Sequence, residues 1–213
     1  KPFDPRLIVQ LAPAVAKSAM ESGVATRPIA DFEAYKEKLS RYVYRSGLLM
    51  KPVFERARSD PKRVVYAEGE DERVLRAAQA AVDERLAKPI LVGRPDVISR
   101  RIERLGLRIR VGKEVEIVNP LSDPRYDAYS ALYHEIMARK GISPAAGKTV
   151  VRSNTTVIAA LMLRRKEADA MLCGTVGPFR DHLSDVADVI GKAKNVRHLS
   201  SMSGLILRNG TFF

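Results

Sequence analysis

From Pro61 onward the chain alternates short apolar runs with longer stretches of helical spacing, and no other feature limits its fold as strongly. The runs are Arg63-Val64-Val65-Tyr66-Ala67, Ile90-Leu91-Val92, Glu116-Ile117-Val118 and Ala170-Met171-Leu172. A compact apolar run bounded by turn residues reads as a strand buried on both faces. Helices are expected from about Asp71 to Leu86, from Pro95 to Leu105, and from Asp123-Pro124 to Lys140-Gly141. Further ones are expected from Ser143-Pro144 through Met162-Leu163 and from Asp181 to Ile190. This β-α-β-α order predicts an α/β fold with an open, largely parallel sheet covered by helices.

The first fifty residues follow a different pattern. Leu7, Ile8, Leu11, Val15, Ala16 and Ala19 recur at helical spacing within Arg6–Ser22, with Pro5 before and Gly23 after. Asp31 suits the N-cap of a second helix through Tyr35, Leu39, Tyr42 and Val43, stopping near Ser46-Gly47. A short amphipathic turn is expected at Val53–Arg58. At the other end, Leu199–Leu207 reads as strand-like. Asn209-Gly210 before Thr211-Phe212-Phe213 is a hairpin signal. The return strand has barely begun at Phe213, so the chain is expected to be a piece of a longer protein. No repeat or low-complexity stretch is present.

With 213 residues the chain can bury a core without covalent staples. Cys173 is the only cysteine, which excludes an intrachain disulfide and a cysteine-built zinc site and suits a reducing compartment. No apolar run approaches the roughly 20 residues of a membrane span, and Lys1–Pro5 has no signal-peptide core. The net charge of +12 calls for an anionic partner, but the excess is spread: +3 over residues 1–50, +5 over 51–112 and +4 over 113–213. Even spreading without aromatic interleaving argues against nucleic acid. The densest patch, Arg100, Arg101, Arg104, Arg108 and Arg110, reads as a solvated helix face followed by a loop.

Two loops carry the candidate chemistry. Glu68-Gly69-Glu70-Asp71-Glu72-Arg73 follows the first predicted strand and opens a helix, a place where ligands bind in parallel sheets. Its acidic residues equally suit helix capping. Arg73 is placed to reach an anion or to pair with Glu70 or Glu72. Cys173-Gly174-Thr175-Val176-Gly177-Pro178 again lies between strand and helix, where exposed backbone N–H groups favour phosphate or carboxylate. It is neither a Walker loop nor a Gly-x-Gly-x-x-Gly fingerprint. Cys173 reads as a core residue ending a strand rather than a nucleophile. His134, His182 and His198 lack ligand spacing and read as structural or surface groups. Ser200, Ser201 and Ser203 lack a nucleophile-elbow context.

Two stretches carry a resemblance. Pro2–Ile8, Ala12–Ala16 and Ser22–Ile29 resemble the end of the catalytic region in large bacterial NADP-dependent malic enzymes. From about Lys51 the chain resembles the phosphate acetyltransferase-like domain that ends those enzymes. The carriers there are Glu68–Arg73, Asn119-Pro120, Arg139-Lys140-Gly141 and Glu167–Gly174. The resemblance implies a three-layer α/β/α sandwich of the isocitrate/isopropylmalate dehydrogenase-like kind, incomplete at its C-terminus. It divides the chain into a catalytic-region end and helical linker, 1–50, and the first two-thirds of the transferase-like domain, 51–213, with a second subdomain starting near 171. It implies a cytoplasmic parent enzyme that decarboxylates malate to pyruvate with NADP and Mg or Mn, and a homo-oligomer of dimer size or larger. Interface candidates are Tyr35–Tyr42 and Val157–Leu163, with core packing the plainer fate of each. This region would regulate and assemble the parent, with acetyl-CoA or a CoA-type ligand as effector. Ligand-binding candidates are Glu68, Arg73, Arg139, Cys173, Gly174 and Thr175; no catalytic residue and no metal ligand is expected. Active acetyltransferases carry arginines where this chain has Met137 and Ser184, so phosphate-facing charge is missing. The alternative is an active phosphate acetyltransferase.

Overall fold

A strand buried on both faces must be covered on both, and the arrangement of helices follows from that. The computed structural model describes residues 6–43, 47–207 and 210–212. Pro2–Pro5, the expected helix stop at Ser46, and Asn209 of the hairpin turn lie outside these residues. The chain divides into two compact units, residues 57–199 and residues 1–56 with 200–213.

In the larger unit four parallel strands, β1 (Lys62–Tyr66), β2 (Ala87–Val92), β3 (Glu116–Val118) and β4 (Ala170–Leu172), lie in the order β3-β2-β1-β4. Side chains alternate across each strand. Tyr66 and Leu91 point to one face, under α4 (Glu72–Asp83) and α5 (Pro95–Arg104), where Val74, Leu75, Ala78, Ile98 and Ile102 are buried. Val65, Ala67, Ile90, Val92 and Val118 point to the other. There α6 (Tyr126–Met137), α7 (Pro144–Ser153), α8 (Thr155–Arg164) and α9 (Phe179–Val189) complete a three-layer α/β/α sandwich.

Helix α8 is the centre of that second layer. Thr156 through Met162 are all buried, and a helix apolar all round belongs inside. Each fully buried Leu or Met contributes about 1.5–3 kcal/mol. Val157–Leu163 is thus core rather than interface. The stretch expected as one helix from Pro144 to Leu163 is two, because Asn154 adopts φ −116°, ψ 100° and caps α8. Its Oδ1 accepts from the amides of Thr156 at 3.0 Å and Val157 at 3.2 Å.

Other expectations shift in detail. Helix α6 closes through one 3-10 turn, Ala138–Lys140, onto Gly141 at φ +83°. Helix α4 ends three residues early, where Arg85 turns the chain at φ +56°. The interval at Val53–Arg58 is a full helix, α3 (Gly47–Ser59), with Pro52 inside it. The strand predicted from Leu199 is confined to β5 (Leu205–Leu207), paired antiparallel with β6 (Gly210–Phe212). In the smaller unit α1 (Arg6–Glu21) and α2 (Phe32–Val43) are helices. Asp31 caps α2 through bonds of 2.9 and 3.0 Å from the amides of Glu33 and Ala34. No helix among the described residues is long and apolar enough to cross a membrane.

Gly69 sits where a Cβ would lie 2.8 Å from both the Val92 carbonyl oxygen and the Leu91 Cβ. Gly69→Ala is expected to cost about 1–3 kcal/mol by overpacking, read from the denaturant midpoint. Ser130 Oγ is the one buried side-chain polar atom without a partner among the described residues. Ser130→Ala is expected to be neutral or to stabilise by up to about 1 kcal/mol in the same measurement.

Candidate functional site

The loops at the carboxyl ends of the strands prolong the sheet rather than leave it. The Ala67 amide donates to Leu172 at 2.9 Å, Gly69 to Val92 at 3.0 Å and Gly93 to Val118 at 3.0 Å. Strand order reverses between β1 and β4, the switch point at which open parallel sheets bind ligands. A cleft of about 490 Å³ opens over this edge, its floor made by Ala67, Val92 and Gly93.

The loop after β4 is fastened at three successive residues by three elements. Glu68 Oε1 accepts from the Gly174 amide at 2.8 Å, and Arg73 donates to the Thr175 carbonyl at 3.0 Å. His182, on α9, donates from Nε2 to the Val176 carbonyl at 2.7 Å. Its Nδ1 then accepts from the buried Thr156 hydroxyl at 2.8 Å. Glu68 lies 3.9 Å from the same ring. Asn154 Nδ2 ties α8 to Asp185 on α9 at 2.7 Å.

Of the candidates named from sequence, Glu68, Arg73, Gly174 and Thr175 meet in this fastening, with Cys173 beside them. Arg73 pairs with Asp71 rather than with Glu70 or Glu72. Burial pushes the Cys173 thiol up, with Glu68 and Asp185 adding to it, which disfavours the thiolate. Arg139 is elsewhere. It is exposed in the turn beyond α6, about 20 Å from Tyr126 along the helix direction at 1.5 Å per residue. Met137 is 6% exposed in the core, and Ser184 is exposed on α9.

Sequence reading took His182 as a structural or surface group and Arg101 as part of a solvated face, and it did not single out Thr156, Arg94 or Arg152. Glu70 organises two of the cleft arginines. Its carboxylate accepts from Arg94 Nε at 2.9 Å, Nη2 at 2.8 Å and the backbone amide at 2.9 Å, and its carbonyl accepts from Arg101. Arg152 stands on the cleft wall over the Tyr126 ring, 4.8 Å from its centroid. Glu70 was in view as an acid following a strand, but nothing in the sequence paired it with Arg94. No group of three or more His, Cys, Asp or Glu among the described residues could hold a metal.

Residues 48–213 match the family profile described as phosphate acetyl/butaryl transferase. The chain belongs to that family. Over its full length it is 56% identical to the NAD-dependent malic enzyme of Rhizobium meliloti and 54% identical to the NADP-dependent malic enzyme of Escherichia coli. It spans 28% of each, so it corresponds to little more than a quarter of these relatives. The phosphate acetyltransferase of Nitratidesulfovibrio vulgaris is 31% identical over 74% of this chain and 22% of its own. Among solved structures, a phosphotransacetylase of Streptococcus pyogenes superposes with a TM-score of 0.61 at 23% identity, covering 73% of this chain and 46% of its own. The EutD phosphotransacetylase of Staphylococcus aureus gives 0.63 at 21%, covering 74% and 46%. These likenesses show the phosphotransacetylase fold.

The Arg94 guanidinium holds the Glu70 carboxyl below the usual carboxylate range. A carboxyl depressed on folding stabilises above its unfolded pKa of about 4.3, and that stability is lost as pH falls through the folded value. Glu70→Gln is therefore expected to destabilise at pH 7 by no more than about 1 kcal/mol, given how exposed Arg94 is. The difference from the parent chain should shrink below pH 4 in denaturant titrations. An equal difference at pH 3 would contradict the assignment.

Proposed function

We propose that this chain is the phosphate acetyltransferase-like region of a bacterial malic enzyme, and that it regulates and assembles that enzyme instead of transferring acetyl groups. The supporting observation is similarity at 54–56% identity over the whole chain to malic enzymes of which it spans 28%. The parent would oxidise and decarboxylate malate to pyruvate in the cytoplasm, using NADP and Mg or Mn. No cluster of metal-ligating side chains among the described residues fits the metal. The sequence has no Gly-x-Gly-x-x-Gly loop for the nucleotide. Both groups would be held by other parts of the parent, and no step of this region runs through them.

The region's own task is to sense acetyl-CoA and to hold a homo-oligomer together. An effector changes activity only by binding one arrangement of the assembly better than another. Charge supports the absence of transfer chemistry in this reading. Met137 is buried among apolar side chains and Ser184 is neutral, so neither position offers a guanidinium to phosphate. The second reading, an active phosphate acetyltransferase, is favoured by the family itself.

Calorimetry with acetyl-CoA is expected to show saturable binding, to this chain or to one extended beyond Phe213. Absence of binding to both removes the sensor reading. The full-length protein is expected to release no phosphate from acetyl phosphate in the presence of CoA. Steady turnover there would establish the second reading instead.

A further inference from the structure

Helix α1 is apolar over more of its surface than one neighbour covers. With 3.6 residues per turn, Val9, Pro13, Ala16 and Met20 share one side. Pro13 is buried there, the other three are half-buried, and α2 packs against the helix. Ile8, Leu11 and Val15, spaced by three and four residues, form a second side and are 45%, 55% and 65% exposed. Ala12 and Ala19 lie between the two sides. The apolar arc spans about half the circumference, wider than the stripe of about 100° that a single packing face needs. Gln10, Lys17 and Glu21 take the remaining side, where Lys17 and Glu21 pair at 3.9 Å.

The second side does not end at Val15. One turn further on, Ala19 lines a recess of about 290 Å³ together with Ala16, Met20, Val24, Ala25 and Ile29. Single exposed apolar residues are normal on any surface. Three in helical register, leading into an apolar recess, make a continuous strip with room for a side chain at its end.

The profile of the acetyltransferase family begins at residue 48, so α1 and α2 lie outside it. The malic enzymes match the whole chain, these helices included, and extend well beyond it, since the chain is 28% of their length. The two helices therefore go with the malic-enzyme part of those relatives. A second copy of this chain is disfavoured by size. An interface between separate proteins takes about 20–30 residues a side, and the strip offers three side chains and a recess. Docking within one chain needs far less, because the covalent link keeps the effective concentration high.

We propose that the Ile8, Leu11 and Val15 side of α1, with the Ala19 recess, seats an apolar face of the sequence that precedes Lys1 in the parent enzyme. Helix α1 thereby anchors this region to the rest of its own chain. The inference rests on the malic-enzyme reading above.

The test uses the full-length protein with p-benzoylphenylalanine in place of Val15 or Leu11, and in place of Lys17 as control. Each protein is irradiated and its cross-linked peptides are identified by mass spectrometry. Val15 and Leu11 are both more than half exposed, so the larger side chain leaves the packing of α1 on α2 intact. Links from Val15 or Leu11 to peptides preceding Lys1 are expected, with loss of those links at Lys17. The proposal is overturned if neither position links to those peptides, whether it links instead to residues 1–213 of either copy, to another protein or to nothing. Equal linking from Lys17 overturns it too. Malate-dependent reduction of NADP or NAD is measured on the unsubstituted protein. Where that activity is absent, the malic-enzyme reading falls and the anchor with it. Where it is present without the links, the anchor alone falls.

Discussion

The C-terminal edge of the sheet depends on how closely one backbone can approach another. Gly69 passes so near β2 that a methyl group would overlap the Val92 carbonyl, and Gly93 passes as close to Glu70. Because both lack side chains, the ladder continues past the strand ends through Gly69–Val92 and Gly93–Val118. Backbone N–H and C=O groups that would otherwise need water are satisfied there. The cleft floor is consequently hydrogen-bonded into the sheet. A larger residue at either position would lift the loop and carry Glu70, and with it Arg94 and Arg101, away from the cleft.

Much of this architecture was legible from apolar runs and caps. Val64–Ala67, Ile90–Val92 and Asp31 announced two strands and a helix start, because burial on both faces and carboxylate capping leave local marks. What was illegible arises from tertiary partners. Asn154 splits one expected helix into two because its amide both caps α8 and reaches Asp185, 31 residues away. Helix α3 carries Pro52 in its interior, where local rules place a helix start. His182 has no ligand spacing in the sequence, yet the fold brings Thr156, Val176 and Glu68 around its ring. Arg152 could not be told from any surface arginine until the cleft was seen.

The charge excess also changes meaning. In the patch read as a solvated face, Arg104 meets Glu72, Arg108 meets Asp83 at 2.7 Å and Arg110 meets Glu114 at 2.8 Å. These exposed pairs add little stability. They do place three of the five arginines of that patch beside negative charges, which weakens it as a magnet for polyanions. Net charge thus describes the surface rather than any one site. The chain shares its fold with phosphotransacetylases and is similar over its whole length to part of the malic enzymes. Within that shared fold, Met137 is packed into the core.

The fastening of Gly174, Thr175 and Val176 by Glu68, Arg73 and His182 has a consequence for motion. Those three side chains come from the β1 loop, α4 and α9, so the loop cannot shift without breaking bonds to all three at once. It belongs mechanically to the sheet. In any rearrangement that a ligand induces, this loop serves as a stationary reference, and the displacement must be taken up by segments that lack such a clasp.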